Sequence, residues 1–176
     1  MKLRLLPVVL SVVISAALLF GGWFTYTSLA MENPLSAIIN QSQGVASSEM
    51  KLDSTQVNIQ LQLKPEANLR EIVNHIQTDG ASIIGKRTVH YDLTGTPSAQ
   101  LDQWWSKALF DVAQAMETKH YADIPATLQK YAGDMPNLKV DSEMDNTYVY
   151  IRMTDGESSK FVMLPRVSQI GVWPNE

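Results

Sequence analysis

The sequence predicts an α+β protein in which an N-terminal transmembrane helix precedes a two-layer α/β sandwich. The sandwich is expected to hold about five strands, two main helices and one short helix. Three observations support this class: an uncharged apolar run near the N-terminus, apolar residues at helical spacing early in the remaining chain, and alternating segments towards its end. Polar residues along one face of the first two strands indicate a sheet that helices cover on one side only.

The apolar run extends from Leu5 to Phe24 and contains no charged residue. At about 1.5 Å of rise per residue, a helix of this length covers roughly 30 Å, the thickness of the hydrocarbon layer of a bilayer. Lys2 and Arg4 precede the run, and no basic residue follows it before Lys51. Because basic residues stay on the cytoplasmic side, this asymmetry predicts a single-pass protein of the cell membrane with its C-terminal domain outside the cytoplasm.

A cleaved signal peptide is the alternative for the same run. Ser28 and Ala30 are the small residues that a signal peptidase needs, and cleavage before Met31 would release a secreted protein. The apolar core of a signal peptide usually spans only about 7–15 residues, however. Trp23 and Tyr26 also stand where an aromatic belt at the outer interface belongs. Both observations favour an uncleaved anchor.

The sequence divides into three parts. Residues 1–30 are predicted to form a cytoplasmic tip and a transmembrane signal-anchor, residues 31–53 a linker, and residues 54–176 an extracytoplasmic α+β domain with one hydrophobic core. The linker is rich in Asn, Ser, Gln and Gly, which predicts a flexible spacer. Leu35 and Ile39 lie at helical spacing within it, which leaves a short helix as the alternative.

The composition excludes several classes of function. Without Lys2 and Arg4, the 14 Lys and Arg residues fall to 12 against 18 Asp and Glu, a net charge of −6. Nucleic acid and anionic lipid both attract a basic surface, so this balance argues against either as a partner. The absence of cysteine excludes disulfides, thiol catalysis and cysteine-ligated metals.

The predicted domain begins with a strand and a capped helix. Apolar and polar residues alternate from Val57 to Leu63, which predicts a strand with one buried and one exposed face. Asn68 and Glu71 then form a capping box. A stripe of apolar residues at helical spacing follows up to Gly80, which ends the helix.

A second strand and the longest helix come next, over residues 86–93 and 97–119, with Thr96 as the N-cap of the helix. Trp104 and Trp105 lie in or beside the apolar stripe of this helix, which predicts core packing, with sugar stacking as the alternative. Phe110 lies opposite the stripe among polar residues. We expect the next helix to cover Phe110, because adjacent segments usually pack together; contact with a partner is the alternative.

The last part of the chain predicts a short helix over residues 124–133 and three strands. The strands cover residues 138–140, 148–153 and 159–164. The middle strand turns its odd-numbered apolar residues inward. Asp155-Gly156 precedes the last strand and is typical of the tight turn of a hairpin.

Candidate residues for chemistry are few. His90 and Asp92 share the exposed face of the second strand and could supply a general base, but no nucleophile is identifiable, so no catalytic residue is predicted. Glu71 and His75, four residues apart on a helix, lack a third metal ligand. The acidic segment 141–146 lacks the Gly and Glu that a calcium loop requires. No metal site and no cofactor are predicted.

The sequence therefore predicts a non-catalytic interaction or assembly domain of the cell envelope that binds a protein partner. The run from Leu5 to Phe24 would hold it in the membrane, and nucleic acid is not expected as a partner. The candidate binding residues are polar residues of the first two strands and one aromatic residue: Gln60, Gln62, Thr88, His90, Asp92 and Phe110. Two alternatives stay open: an exported enzyme that uses His90 with Asp92, and a sensor that binds a wall polymer or a small molecule.

Overall fold

The computed structural model describes residues 5–133 and 135–166, which form six α-helices and six strands. The helices are α1 (Leu5–Thr27), α2 (Asn33–Gln41), α3 (Leu69–Asp79), α4 (Ala81–Ile84), α5 (Ala99–Glu117) and α6 (Asp123–Ala132). A π-helical turn, Ser28–Glu32, joins α1 to α2. The strands are β1 (Val45–Leu52), β2 (Gln56–Leu63), β3 (Thr88–Thr94), β4 (Leu138–Met144), β5 (Tyr148–Asp155) and β6 (Ser158–Pro165). Lys2, Arg4 and residues 167–176 of the predicted domain lie outside the described residues.

The strands of the described chain divide into two small sheets. Sheet A has the order β1-β2-β3, in which β1 runs antiparallel to β2 and β2 runs parallel to β3. Sheet B is the antiparallel meander β4-β5-β6. The predicted α+β class is confirmed. The finer prediction, a two-layer sandwich of about five strands, is not confirmed, because the described residues form six strands in two sheets.

The segment predicted as a linker is structured. Most of residues 31–53 belongs to α2 and β1 instead of a flexible spacer. Leu35 and Ile39 are fully buried, so their helical spacing marks a helix that packs inside the domain. In β1, Leu52 packs against the core while Lys51 is exposed. Burial against the rest of the domain thus outweighs the polar composition that favours a spacer.

The apolar N-terminal helix runs into the domain without a break. Helical structure continues from Leu6 to Gln41, through α1, the π-helical turn and α2. Pro34 has no N–H to donate to the carbonyl group one turn earlier, and the helix takes π geometry just before this residue. The length and composition of the helix suffice to cross a membrane, and none of its apolar window is buried in the rest of the chain.

Helices cover one face of each sheet and enclose a hydrophobic core there. Core A lies between sheet A and the helices α2 and α3, and it includes Ile59 and Ile72. Core B lies between sheet B and the helices α5 and α6, and it includes Trp105 and Leu128.

Sheet B is buried on both faces. Ile151 and Met153 lie in core B, which confirms that the odd-numbered residues of this strand turn inward. On the opposite face, Tyr150 and Phe161 belong to core A. Tyr150 is only 2% exposed. The two cores therefore meet across sheet B.

The tryptophans of α5 pack as predicted, but Phe110 does not. Trp104 and Trp105 are buried in core B, so neither ring offers a platform for sugar stacking. The N-cap of the helix is Ser98, whose hydroxyl accepts a backbone N–H of the first turn, instead of the predicted Thr96. Phe110 is 79% exposed.

Helix α6 packs against the apolar stripe of α5, away from Phe110. The indole N–H of Trp104 donates a hydrogen bond of 2.9 Å to the carbonyl oxygen of Tyr131, and Leu128 lies in core B. The prediction that this helix covers Phe110 is wrong, because the two helices meet through their apolar stripes and leave the opposite side of α5 open.

Two turns connect strands: one joins β5 to β6, and the other, after β3, contacts β6. Gly156, with a φ of +60°, links β5 to β6 and confirms the hairpin that Asp155-Gly156 predicts. Where β3 ends, Gly95 lies so close to Ser159 of β6 that a Cβ atom would overlap the Ser159 carbonyl group. The Thr96 N–H donates to Ser159 Oγ, and the Ser159 N–H donates to the Thr96 carbonyl oxygen, each at 3.0 Å. These bonds tie sheet A to sheet B.

Candidate functional site

Five of the six predicted binding residues lie together on the outer face of sheet A. The parallel register of β2 and β3 places Gln60 beside Asp92 and Asn58 beside His90. On both strands the odd-numbered residues turn towards core A, and the even-numbered residues point to the other side. The even-numbered set includes the predicted Gln60, Gln62, Thr88, His90 and Asp92.

Strand β1 adds a third row of side chains to this face. Its antiparallel register places Glu49 beside Gln60. The Ser47 hydroxyl donates a hydrogen bond of 3.1 Å to Gln62 Oε1. The polar face of sheet A consists of Ser47, Glu49, Lys51, Asn58, Gln60, Gln62, Thr88, His90, Asp92 and Thr94.

The polar face carries charges of both signs and no large apolar side chain. Within the described residues, none of Glu49, Lys51, His90 and Asp92 takes part in an ion pair. His90 and Asp92 are two residues apart on one strand, so their backbones lie about 7 Å apart, and no hydrogen bond joins their side chains in the part of the chain that the structure describes. In arrangements of nucleophile, base and carboxylate, the carboxylate orients the base through a hydrogen bond. The geometry therefore gives no support to an enzyme that uses this pair.

The sixth predicted residue, Phe110, lies apart from the polar face. It belongs to α5, which packs against α6 and sheet B. Exposed polar residues of the same helix, Gln103, Lys107 and Gln114, surround it. A single exposed aromatic residue is common on protein surfaces, so Phe110 alone does not define a site.

A small cleft opens between the start of α3 and the strands β4 and β5, with a volume of about 220 Å³. Arg152 in its wall binds the Asp141 carboxylate and two carbonyl oxygens of the segment before α3. Beside it, Arg70 and Glu143 pair at 3.7 Å. Ligand pockets usually enclose roughly 300–1,000 Å³. The cleft is smaller than that, and its charged groups bind one another.

These ion pairs explain the acidic segment 141–146. Asp141 and Glu143 are the partners of two arginines. Within residues 5–133 and 135–166, no group of three or more His, Cys, Asp or Glu side chains is placed to hold a metal ion. The acidic residues of this segment therefore have structural partners that the sequence pattern does not indicate.

Asp145, the third carboxylate of the segment, organises the turn between β4 and β5. It accepts hydrogen bonds from the N–H groups of Thr147 at 2.6 Å and Tyr148 at 2.8 Å, and from the Tyr150 hydroxyl at 2.6 Å. Burial by itself raises the pKa of Asp145, but these hydrogen bonds outweigh burial and lower the pKa below its usual value. Burial and the hydrogen bond to Asp145 raise the pKa of Tyr150.

The structure adds one arrangement that the sequence does not indicate. The Ser42 hydroxyl lies 2.8 Å from His75 Nδ1, and His75 Nε2 lies 2.9 Å from Asp79 Oδ2. This is the order of nucleophile, base and carboxylate in a serine hydrolase. The bond between Ser42 and His75 also fastens the end of α2 to α3, whereas the contact between His75 and Asp79 lies within α3. Both ring nitrogens of His75 are engaged, which leaves neither for a metal shared with Glu71.

Comparison of the chain with protein-family models, with curated proteins and with solved structures found no match. The arrangement of the chain's own residues therefore carries what can be inferred about its function.

Proposed function

We propose that this chain is a membrane-anchored domain of the cell envelope that binds a protein partner outside the cytoplasm through the polar face and catalyses no reaction. The observation that carries the proposal is the uncovered polar face on the same unit into which the apolar N-terminal helix runs. A function of this kind needs a surface held at a set distance from the membrane, and it needs neither a cofactor nor a deep pocket.

The way in which α1 meets the domain supports the anchor. Cleavage before Met31 would cut a continuous helix about one turn before Leu35, whose side chain is fully buried in core A. The rings of Trp23 and Tyr26 lie 6.5 Å apart on the exposed surface of α1, where interfacial aromatic residues belong. These features favour a helix that stays in the membrane over a cleaved signal peptide.

The chemistry of the polar face favours a protein as the partner. Its amides and hydroxyls suit hydrogen bonds to another protein surface, and its charges have both signs. Nucleic acid would require a basic stripe. Polar groups that lose water on binding must find new partners, so this face favours a surface with complementary donors and acceptors. Phe110 on α5 offers a second, apolar contact point.

Site-specific photocrosslinking in native membranes tests the proposal. A photoreactive amino acid replaces Gln60, in the middle of the polar face, and in a matched control it replaces Gln129, which is exposed on α6. We expect one defined cross-linked protein from position 60 and none of that adduct from position 129. The same adduct from both positions, or no adduct from position 60, would overturn the polar face as the binding surface.

A hydrolase is the second candidate, because Ser42, His75 and Asp79 are hydrogen-bonded in the order that a serine nucleophile requires. In such an enzyme the Ser42 hydroxyl would attack an acyl carbon and pass its proton to His75 Nδ1. The bond to the leaving group would then break as His75 returns this proton to it, and water would hydrolyse the resulting acyl-Ser42 ester. Labelling with a fluorophosphonate probe tests this candidate. Labelling of the parent that His75→Asn abolishes would support it. An unlabelled parent would leave the three residues as a link between α2 and α3.

A further inference from the structure

One edge of sheet A, formed by the end of β1 and the starts of β2 and β3, lies beside the base of the apolar N-terminal helix. The guanidinium group of Arg87 lies 3.8 Å from the sulfur of Met31 in the π-helical turn, and it donates a hydrogen bond of 2.9 Å to the Asp53 carbonyl oxygen between β1 and β2. It also donates to the carbonyl oxygens of Ile83 and Ile84 at the end of α4. The turn between β1 and β2, the end of α4 and the start of β3 therefore lie next to the helix.

With the helix in a membrane, this edge lies just outside the layer of the lipid headgroups. Met31 follows Phe24, the end of the apolar run, by seven residues, which corresponds to about 10 Å along a helix axis. The headgroup layer on each side of the hydrocarbon is roughly 5–8 Å thick. Arg87 contacts Met31 directly. Lys86 precedes Arg87 in the chain, Lys51 lies two residues before Asp53 at the end of β1, and both lysine side chains are exposed. Long basic side chains at this height reach the phosphate groups.

The charge at this edge differs in sign from that of the exported chain as a whole. Lys51 and Lys86 are exposed, and Arg87 binds neutral carbonyl groups that leave its charge uncompensated. None of the three forms an ion pair within the described residues. The acidic residues nearest to these three cations in the chain are Glu32 and Asp53, so positive charges outnumber negative charges at this edge. The net charge of −6 is an average over the exported chain and does not describe this edge.

We propose that Lys51, Lys86 and Arg87, the basic rim, attract the phosphate groups of anionic lipids in the leaflet beneath the domain, and that the two exposed lysines make the direct contacts. The proposal rests on the proposed membrane anchor. Basic residues beside a membrane are attracted to anionic headgroups within a Debye length of the surface. Contacts between the rim and the lipids restrict rotation of the domain about the helix and hold the polar face in one orientation.

Collisional quenching in nanodiscs that hold the full chain tests the position of the rim. The chain has no cysteine, so Ser54→Cys places a single fluorophore in the turn between β1 and β2. Thr94→Cys is the control: β3 starts beside this turn, where the Thr88 N–H donates to Thr55, and ends about 20 Å further on. With nitroxide on the lipid headgroups, we expect strong quenching at position 54 and little at position 94.

A comparison of zwitterionic and anionic nitroxide lipids tests the selection of charge. We expect the anionic lipid to quench the fluorophore at position 54 more strongly. Changing Lys51→Gln and Lys86→Gln should reduce this enrichment by roughly fivefold for each lysine removed. Lys64→Gln is the matched control, because it makes the same charge change at the opposite end of β2, and it should leave the enrichment unchanged.

The possible outcomes distinguish a failure of the basic rim from a failure of the membrane anchor. If the chain does not stay in the nanodisc, the anchor fails and the rim fails with it. A retained chain without quenching at position 54 overturns the rim and leaves the anchor. Equal quenching by the two lipids, or an enrichment that the double variant does not change, overturns the binding of anionic headgroups.

Discussion

Sheet A and sheet B each have three strands, but their surroundings differ. Sheet B lies between two cores: Ile151 points into core B, and its neighbour Tyr150 points into core A. Sheet A has a core on one face, at Ile59, and solvent on the other, at Gln60. Sheet A therefore keeps an exposed polar face, to which we propose that a partner binds, whereas both faces of sheet B contribute to the cores of the fold.

The two sheets also differ in how they connect to the N-terminal helix. Helix α2 buries Leu35 and Ile39 in core A, and Arg87 ties sheet A to the π-helical turn. Sheet B takes its position from sheet A through the shared core and through the hydrogen bonds between Thr96 and Ser159. The exposed polar face is therefore carried by the sheet whose position relative to the helix is set most directly.

Truncation of Trp105 in core B has the largest expected effect. Its side chain is 8% exposed, and the change of a buried Trp to Ala costs about 3–5 kcal/mol, enough to unfold a domain of ordinary stability. We expect Trp105→Ala to lose the cooperative thermal transition followed by circular dichroism. Gln103→Ala, at an exposed position of the same helix, should melt like the parent. A Trp105→Ala protein with the parent's melting curve would contradict the structural role of sheet B.

Truncation of Leu35 tests whether α2 belongs to core A. Because this side chain is fully buried, we expect Leu35→Ala to lower the free energy of unfolding by about 2–5 kcal/mol in urea denaturation. Gln41→Ala, exposed at the end of the same helix, is the control and should change little. A flexible spacer predicts no change for either variant. That result would mean that α2 does not connect sheet A to the N-terminal helix, and the two sheets would then no longer differ in how they connect to this helix.

Removal of the Tyr150 hydroxyl probes the face of sheet B that meets core A. Tyr150→Phe loses the hydrogen bond to the Asp145 carboxylate, which should lower the free energy of unfolding by about 1–2 kcal/mol at neutral pH. The pKa of Asp145 is lowered in the folded state. The stability that Asp145 contributes is therefore present above its unfolded pKa of about 3.9 and is lost as the pH falls through the folded value.

Urea unfolding at neutral and acidic pH checks this linkage. The stabilities of the parent and of Tyr150→Phe should begin to converge as the pH falls below the unfolded pKa of about 3.9, and convergence should be complete once the folded carboxylate is also protonated, at a lower pH. A difference that stays constant across this range would mean that the Tyr150 hydroxyl does not act through the ionised Asp145.

Substitution on the polar face should affect binding and spare the fold. His90→Ala combined with Asp92→Asn changes two exposed side chains, so the free energy of unfolding should stay within about ±0.5 kcal/mol. We expect the yield of the adduct from a photoreactive residue at position 60 to fall. If the double variant instead abolishes turnover of a wall-derived substrate, the domain is an enzyme and the binding proposal fails.

Phe110 provides the smallest expected change in stability and a direct contrast with Trp105 on the same helix. Because its ring is exposed, Phe110→Glu should leave the melting temperature unchanged. We expect it to weaken association with the partner, measured as the amount of partner that co-purifies in detergent. A lower melting temperature would show that another part of the chain covers this ring.

The sequence predicts the elements of this fold better than the neighbours of each element. Helix α3 follows from local signals, and one half of its predicted capping box forms: the Asn68 side chain accepts the Glu71 N–H at 3.1 Å. The burial of Tyr150 and the exposure of Phe110 depend on which element lies opposite, and no local pattern encodes that choice. For the same reason the sequence predicts helix α2 only as the alternative to a spacer, since packing against α3 and sheet A is what gives its short apolar face a place in the core.

The same distinction between local signals and long-range contacts applies to the candidate site. Alternation along β2 and β3 is local, so the sequence places Gln60 and His90 on exposed faces, and parallel pairing then brings those faces together. The hydrogen bond between Ser42 and His75 joins residues 33 positions apart. The spacing of four between His75 and Asp79 is visible in the sequence, but nothing in it brings Ser42 to the same place.

The intact mass of the protein extracted from its native membrane tests most directly whether the helix remains part of the chain and holds sheet A at the membrane. The account predicts one species that retains residues 1–30. A mature species that begins at Met31 would contradict it, because α2 would then start close to a free N-terminus and the domain would be released from the bilayer.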